Sequence, residues 1–584
     1  CYLECMFKKK NNFYDNRLAV LMTVIFVIAS LIVLKLAYLM VVKHDYYSGL
    51  ANNQHYANAE LDPSRGEIYL QDYKEPGKRF PFATNRKYYL VFANTTEVKY
   101  PQDILSRLVD VLKIEEEEEQ DIILKRLIKE DDIYEPLRHK ITEEEMTQLA
   151  EFDLPGIYFE EEIWRYYPEN NTGSHVLGFV GHTDNGYQGQ YGLEGYFNEE
   201  LSGIKGQLSY SRDANGRIIP TGNRVYETAK DGFNLVLTID RSLQFYACSM
   251  LEKHSIKYGA ASGTVIIMNP QTGAIMAMCS YPDFDPNKYN EVEDINIYNN
   301  PSVFTAYEPG SVFKALTMAA ALDQDTVKPD TMFNDTGEVT IGKYTIRNSE
   351  EKIYGEQNMA QVLEKSINTG AIWVAQELGL PKFREYIENF GFGEQTEISL
   401  TGEVAGNIGS LYKKSDIYLA TASYGQGITA TPIQMVTAFA AIANGGKLVK
   451  PYIVDQIVFD SGLVEKYDPT IIRQVISNKT SMTLSAMLAS VVESGHASLA
   501  GVPGYYIAGK TGTAQAINYG TGEYDEEKTI HTFVGFAPIN NPQYVMLTKF
   551  NHPSNVEFAA SSAAPLFGEI SKFLLNYLQV PVEK

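Results

Sequence analysis

The stretch that most constrains the fold is residues 18–34, seventeen positions without a charged side chain near the start of this 584-residue chain. Apolar character resumes after Lys35 and continues through Val42, which is long enough for a helix to cross a bilayer core of roughly 30 Å. The basic side chains before it are Lys8, Lys9, Lys10 and Arg17. By the positive-inside rule, we predict a cytoplasmic tail (1–17), a transmembrane anchor (18–42) and an extracytoplasmic remainder.

A cleaved signal peptide is the competing interpretation of this stretch. The apolar run is long for a signal peptide, and no small-x-small cleavage site closes it. Over the whole chain, 44% hydrophobic and 21% charged residues are typical of globular domains. A formal net charge of −23 argues against nucleic acid as a partner, because phosphate binding needs a basic surface.

The four cysteines predict neither a metal site nor a cofactor. Cys1, Cys5, Cys248 and Cys279 form no CxxC pair and no Cys/His cluster at metal-ligand spacing. Since sequence does not supply the distance between Cys248 and Cys279, we expect two small buried apolar side chains rather than a disulfide.

Residues 43–229 contain no catalytic constellation and form one predicted domain. Helical spacing is clearest over residues 104–129, around the glutamate run 115–119. Consecutive residues do not share one helix face, so we interpret the glutamates as a solvated surface rather than a metal site. At residue 230 the pattern changes to a β-run that begins a second domain, 230–584.

The pattern of the second domain predicts an α+β fold, with one sheet that contains strands from both ends of the domain. Predicted strands come first, helices occupy the middle, and strands return before a final helix. The predicted strands are 263–268, 274–280, 506–508, 532–537 and 544–550. The predicted helices are 311–322, 359–378, 432–444 and 564–578.

Ser311 is the candidate nucleophile. It follows Pro309-Gly310 and precedes an apolar helical run, and Lys314 lies one turn further along the same face. A neutral amine beside a hydroxyl can take its proton. The same Ser-x-x-Lys spacing also occurs at Ser202/Lys205, Ser349/Lys352 and Ser410/Lys413, without the turn and apolar helix.

Two further motifs follow in order. Ser366-Ile367-Asn368 offers a hydroxyl to relay protons and an amide to hold a substrate. Lys510-Thr511-Gly512-Thr513 follows a β-run, where glycine permits close approach of a ligand and lysine can face a carboxylate. Each motif is common alone, but the ordered set of three is specific.

Two other enzyme classes compete for these residues. Residues 504–511 fit the P-loop pattern G-x-x-x-x-G-K-T, but a P-loop needs a strand before it and a helix after its lysine, and this context is missing. A Ser-His-Asp hydrolase lacks its G-x-S-x-G elbow here, and the nine histidines are scattered.

With these motifs in hand, the chain resembles a class B penicillin-binding protein, closest to the division-site, FtsI-like branch. Further matching stretches run from near the anchor towards the C-terminus. They include SRGEIYL (64–70), HVLGFVG (175–181), LTIDRSLQ (237–244), SYGQGITATPIQM (423–435), IAGKTGTAQ (507–515) and HTFVGFAP (531–538). The resemblance implies an elongated pedestal domain and a penicillin-recognising, β-lactamase-like serine transpeptidase domain.

The resemblance also implies a role for each motif residue in peptidoglycan cross-linking through D-Ala-D-Ala stem peptides. Ser311 would form the acyl-enzyme, Lys314 would act as base, and Ser366 would relay a proton under the influence of Lys510. The substrate-binding residues would be Asn368, Thr511, Gly512 and Thr513. β-Lactams would be inhibitors, and the implied partners are an FtsW-like glycosyltransferase and other divisome membrane proteins.

Two relatives of the same fold remain as alternatives. One hydrolyses its acyl-enzyme as a D,D-carboxypeptidase or a β-lactamase. The other is a β-lactam sensor or a division scaffold that keeps the motifs without using them as an enzyme. The pedestal and the single anchor favour cross-linking by analogy alone.

Overall fold

The computed structural model describes residues 12–44, 56–183, 186–211, 224–517 and 524–584. The first helix, Asn12–Ala37, continues into a π-helical turn, Tyr38–Val42. From Arg17 to Val42 this segment has the length and composition of a membrane span, and none of it is buried inside the protein. Most of the predicted cytoplasmic tail, residues 1–11, lies outside the described residues.

Strands are numbered in chain order. In the first part of the chain they are β1 (Tyr56–Leu61), β2 (Ile68–Gln71), β3 (Phe80–Ala93), β4 (Glu135–Ile141), β5 (Ile157–Tyr166), β6 (Phe179–Thr183), β7 (Gly186–Gln190), β8 (Gly206–Ser211), β9 (Arg224–Glu227) and β10 (Asn234–Asp240). They continue with β11 (Ser262–Met268), β12 (Ile275–Tyr281), β13 (Met332–Asp335), β14 (Glu338–Ile341), β15 (Tyr344–Arg347), β16 (Gly355–Asn358), β17 (Lys447–Val449), β18 (Val454–Val458), β19 (Val464–Lys466), β20 (Ile471–Gln474), β21 (Ala508–Ile517), β22 (Tyr524–Ala537) and β23 (Tyr544–Asn551).

The α-helices are numbered in the same way. They are α1 (Asn12–Ala37), α2 (Pro101–Leu112), α3 (Glu117–Leu127), α4 (Glu143–Ala150), α5 (Ser174–Leu177), α6 (Gly192–Tyr196), α7 (Asn198–Ser202), α8 (Arg241–Tyr258) and α9 (Pro301–Phe304). The remainder are α10 (Lys314–Asp323), α11 (Met359–Glu364), α12 (Asn368–Leu378), α13 (Leu380–Asn389), α14 (Asp416–Ser423), α15 (Pro432–Ala443), α16 (Asn478–Glu493) and α17 (Ala563–Tyr577).

Contacts divide the chain into two compact units. One comprises the described parts of 1–63 and 204–230, with α1 and an antiparallel sheet in the order β1-β8-β9. The other comprises 64–203 and 231–584. Its first large sheet has the order β19-β18-β10-β2-β3-β4, with β5 on β3, so it combines strands from distant parts of the sequence.

The second large sheet of that unit has the order β12-β11-β23-β22-β21. The predicted gathering of strands from both ends of the domain is confirmed, because the late strand β23 lies between β11 and β22. β11 is buried almost throughout, which explains the apolar run at residues 265–268. The turn after it is held by the Asn269 side chain, which accepts backbone N–H bonds from Gln271 and Thr272.

Two stretches predicted as helical are each interrupted by a break. The 104–129 stretch forms α2 and α3, separated at Lys113, which has a left-handed φ of 52°. Residues 117–119 form the first turn of α3, where carboxylates favour the helix dipole. The 359–378 stretch forms α11 and α12, and Ser366 between them has a left-handed φ of 54°.

The expectation that Cys248 and Cys279 remain unpaired is also wrong. They form a disulfide with a Cα–Cα distance of 5.3 Å. Cys248 lies on α8 and Cys279 on β12, and this helix packs against this strand. The cause is tertiary packing, which brings together residues 31 positions apart.

Candidate active site

Ser311 lies in a tight 3₁₀ turn, Gly310–Phe313, that leads directly into α10. Gly310 has a φ of +59°, a conformation that favours glycine. The turn presses on β21: a Cβ on Gly512 would come within 2.7 Å of Val312 Cγ2 and 2.8 Å of the Pro309 carbonyl oxygen. Glycine at 512 therefore allows the Ser311 turn and the strand to touch.

Lys314 begins α10 and is 1% exposed. Its Nζ donates to the Ser366 carbonyl oxygen at 2.6 Å and to Asn368 Oδ1 at 2.7 Å. The Ser366 hydroxyl oxygen is 3.3 Å away. The break between α11 and α12 thus turns both ends of the Ser-x-Asn motif towards this amine.

Lys510 approaches the same hydroxyl from the sheet. It is fully buried on β21, and its Nζ donates to Ser366 Oγ at 3.0 Å and to the Thr511 carbonyl oxygen at 3.0 Å. The Ser366 hydroxyl therefore lies within hydrogen-bond distance of two lysine amines. The structure brings Lys314, Ser366, Asn368 and Lys510 into one cluster.

Burial is the main electrostatic influence on these amines. It lowers the pKa of Lys314 well below the ordinary value, and the nearby charge of Lys510 lowers it further. Burial alone lowers the pKa of Lys510 to about 7. The two oxygen acceptors on Lys314 oppose this effect by favouring its ammonium form. Near neutral pH, Lys510 can therefore exchange protons, and Lys314 is biased towards its neutral form.

The remaining predicted residues continue along β21. The Thr511 side-chain oxygen is 3.5 Å from the Lys510 amine. The exposed Thr513 hydroxyl accepts the Ala559 backbone N–H at 3.1 Å, so its own proton is left to donate. Among the described contacts, no hydrogen bond joins Ser311 Oγ to Lys314 Nζ; the link between them is their position one turn apart.

The competing motifs lack this environment. The lysines of the other three Ser-x-x-Lys pairs are exposed; they are Lys205, Lys352 and Lys413. The P-loop interpretation is wrong, because Lys510 lies inside a strand and an antiparallel strand follows it. The predicted strand over 506–508 is also wrong: it begins at Ala508 and contains the lysine motif.

Sequence reasoning missed two residues close to the motifs. Glu308, three positions before Ser311, is buried and accepts the Gly427 backbone N–H at 2.8 Å. Its burial raises the pKa of its carboxyl group. Asn348 accepts the backbone N–H of Asn368 at 3.0 Å. No local pattern marks either residue, because both contacts join distant segments.

Comparisons with known proteins agree with this geometry. Residues 263–572 match the penicillin binding protein transpeptidase domain, and residues 60–237 match the penicillin-binding protein dimerisation domain. The chain is 36% identical to stage V sporulation protein D of Bacillus subtilis over 94% of this chain and 84% of that protein. It is 29% identical to peptidoglycan D,D-transpeptidase FtsI of Buchnera aphidicola, over 97% and 96%.

A solved structure supports the same assignment. Penicillin binding protein 3 of Mycobacterium tuberculosis, crystallised in complex with aztreonam, has a TM-score of 0.69 and 25% identity. The likeness covers 90% of this chain and 98% of that one. Together with the motif cluster, these matches show that the chain belongs to the penicillin-binding protein transpeptidase family, as a class B member with FtsI-like relatives.

Proposed function

We propose that the chain is a peptidoglycan D,D-transpeptidase that forms an acyl-enzyme on Ser311. The observation that carries the proposal is the buried Lys314 amine, one turn after Ser311 and in hydrogen-bond contact with Ser366 and Asn368. Burial beside a second lysine favours the neutral amine that a general base requires.

The reaction begins with Ser311 Oγ attacking the carbonyl carbon of the penultimate D-alanine. Lys314 takes the serine proton as the C–O bond forms. The peptide C–N bond then breaks; the Ser366 hydroxyl gives its proton to the leaving amine of the terminal D-alanine and takes back a proton from the Lys314 ammonium. Lys510 donates to Ser366 and adjusts its proton affinity. An amine from a neighbouring stem peptide then attacks the ester and releases Ser311.

Substrate binding is assigned to Asn368 and to the exposed side of the lysine motif. Asn368 holds the peptide amide. The Thr511 and Thr513 hydroxyls donate to the substrate carboxylate, and Gly512 between them has no side chain to obstruct it. The backbone N–H groups of Ser311 and Thr513 form the oxyanion hole. Each such donor typically contributes roughly 3 kcal/mol to the transition state.

The same proposal extends to the place of action. A cytoplasmic tail (1–17) and one anchor (18–42) hold a pedestal domain (43–229) and a transpeptidase domain (230–584) outside the cell membrane. The candidate span supports the anchor, and relatives named FtsI support a role in septal synthesis beside an FtsW-like glycosyltransferase and divisome proteins. β-Lactams act as inhibitors by acylating Ser311.

Labelling of the full chain in detergent with a fluorescent penicillin tests the chemistry. We expect a long-lived adduct, one drug molecule per chain by intact mass, with the modified peptide containing Ser311. Ser311→Ala should give no adduct, whereas Ser349→Ala, from an exposed Ser-x-x-Lys pair, should label normally. Labelling elsewhere contradicts the proposal, and rapid turnover of the drug favours a hydrolase of the same fold.

Complementation separates an enzyme from a scaffold. In cells depleted of the protein, Ser311→Ala should fail to restore septation although it is present at the wild-type level. Restoration by this variant would favour the sensor or scaffold alternative.

A further inference from the structure

The segment between α11 and α12 carries Ser366 and Asn368, and it needs external support. Ser366 has a φ of 54°, which is unfavourable for a residue with a side chain. Local support among the described contacts comes from backbone bonds to α11: Lys365 N–H to the Gln361 oxygen at 2.9 Å, Ser366 N–H to the Leu363 oxygen at 3.2 Å and Ile367 N–H to the Val362 oxygen at 2.9 Å. Strained segments at functional sites persist only when their surroundings hold them.

Asn348 supplies the external support. It is 4% exposed, and its side-chain oxygen accepts the backbone N–H groups of Asn368 at 3.0 Å and Thr369 at 3.2 Å. These groups open α12, where backbone donors lack helical partners. The preceding carbonyl oxygen, of Arg347, accepts from the Asn368 side-chain amide at 3.0 Å.

These two contacts fix which way the Asn368 amide faces. Because its NH₂ group donates to the Arg347 oxygen, its Oδ1 points to the opposite side. That oxygen accepts from Lys314 Nζ at 2.7 Å. The orientation of the amide beside the catalytic lysine is therefore determined by residues 347 and 348.

Asp335 in turn fixes Asn348. The carboxylate is 2% exposed, and both its oxygens accept from the Asn348 amide at 3.0 Å. It also accepts from the Gly337 backbone N–H, the Tyr354 backbone N–H and the Thr369 hydroxyl. Among the described contacts no cation pairs with it. A buried carboxylate held only by neutral donors is a rigid acceptor for the Asn348 amide.

We propose that Asn348, oriented by Asp335, is a positioning residue of the acyl transfer: it holds the Ser366–Asn368 segment against Lys314. The inference rests on the proposed function and adds a residue that touches neither substrate nor the reacting atoms. Loss of the Asn348 side chain releases the segment, so the Ser366 hydroxyl and the Asn368 oxygen move away from the lysine.

This displacement has a signature that a stability defect lacks. An oxygen acceptor favours the charged form of an amine, so losing the Asn368 contact lowers the pKa of Lys314. In a plot of acylation rate against pH, the rate rises from the acid side to a plateau as the lysine loses its proton, and we call this rise the acid limb. The acid limb then moves to lower pH. The plateau falls at the same time, by about 10- to 100-fold, because the proton relay is misplaced. A change in the folded fraction alone would lower the plateau without moving the limb.

The test uses the full chain in detergent and measures penicillin acylation rates from pH 5 to pH 10, with the melting temperature recorded for each variant. Asn348→Ala should lower the plateau and move the limb. Asn300→Ala is the matched control, since Asn300 is also 4% exposed and also caps a helix, α9, without contacting the motifs. It should lower the melting temperature and leave the limb in place.

A second pair of variants covers the case in which Asn348→Ala does not fold. Thr369→Val removes the hydroxyl bonded to Asp335 and should move the limb in the same direction with a smaller loss of rate. Thr369→Ser restores the hydroxyl and should restore the profile. The inference is overturned if the wild type acylates but the profiles of Asn348→Ala or Thr369→Val keep the wild-type limb, whatever happens to the plateau. Absence of acylation in the wild type would instead defeat the proposed function.

Discussion

Two buried clusters in the same compact unit differ in how their charges are paired: one combines a carboxylate with two guanidinium groups, and the other contains two lysines. Glu194, on α6, is fully buried between Arg165 Nε at 2.6 Å and Arg65 Nε at 2.8 Å. Lys314 and Lys510 are equally buried, but they share a serine hydroxyl, and no carboxylate forms an ion pair with either among the described contacts.

The comparison shows how neighbours decide what burial does to a charge. Burial alone would raise the pKa of Glu194, but the two guanidinium groups outweigh it and the pKa is lowered, so the carboxylate stays charged. For Lys314, burial and the second lysine act in the same direction and lower the pKa. One cluster is therefore a fixed ionic contact, and in the other the neutral amine that the proposed base requires is favoured.

The largest expected effect follows from removing the amine of Lys314, the proposed base. Lys314→Met should lower the penicillin acylation rate by about 10²- to 10⁴-fold, because the proton acceptor is lost. The melting temperature should change little, because the gain from burying an apolar chain instead of an amine opposes the loss of the donor to the Ser366 and Asn368 oxygens. Lys352→Met, from an exposed pair, should leave the rate unchanged. A Lys314→Met rate close to wild type would mean that another group takes the Ser311 proton.

The next effect breaks the ionic contact. Glu194→Gln leaves two buried guanidinium groups without a counter-charge and should lower the free energy of unfolding by about 3–5 kcal/mol. Calorimetry should record the loss, while acylation per folded molecule stays at the wild-type value. Glu161→Gln, which removes an exposed ion pair nearby, should not change the melting temperature. Equal behaviour of the two variants would contradict a structural role for Glu194.

A third buried lysine sharpens the comparison. Lys549 is 1% exposed, its amine lies 4.5 Å from the centre of the Tyr307 ring, and burial lowers its pKa to about 7. The unfolded chain then binds more protons than the folded chain between pH 7 and the ordinary lysine pKa, so this residue makes stability rise with pH, by at most about 1.4 kcal/mol per pH unit.

Lys549→Met should remove that slope. The variant should melt at a higher temperature than the wild type at pH 7, and the gap should close as the pH rises towards 10. The exposed Lys572→Met serves as control and should show no pH-dependent gap. A constant gap between Lys549→Met and the wild type would mean that the Lys549 amine does not titrate on unfolding.

The smallest effect concerns the coupling between Lys314 and Lys510, the two lysines proposed to act in catalysis. The charge of Lys510 lowers the pKa of Lys314, so Lys510→Met should move the acid limb of acylation to higher pH. Lys510→Arg keeps the charge and should hold the limb near its wild-type position. Equal limbs in both variants would show that burial alone tunes Lys314.

The motifs and the strands of the sheet can be predicted from the sequence. The break between α11 and α12, which brings the motifs together, cannot. Lys314 and Lys510 are recognisable from spacing and context. The left-handed Ser366 is not, because Ser-Ile-Asn contains neither glycine nor proline and sits in a helical pattern. Its conformation depends on Lys314, which is 52 positions before it. It also depends on Asn348, which bonds to Asn368 across 20 positions. The Cys248–Cys279 bridge escaped prediction for the same reason, since pairing depends on packing between elements.

Because β23 lies at the centre of its sheet, the sheet cannot be completed until this late strand has been synthesised. Ribosomes deliver β11 and β12 early, yet the strand that connects them to the lysine-bearing β21 and β22 comes last, at Tyr544–Asn551. A nascent chain that stops before Tyr544 cannot join the two parts of the sheet. The turn that carries Ser311 and the strand that carries Lys510 therefore meet at one completed sheet only after residues 544–551 have been synthesised.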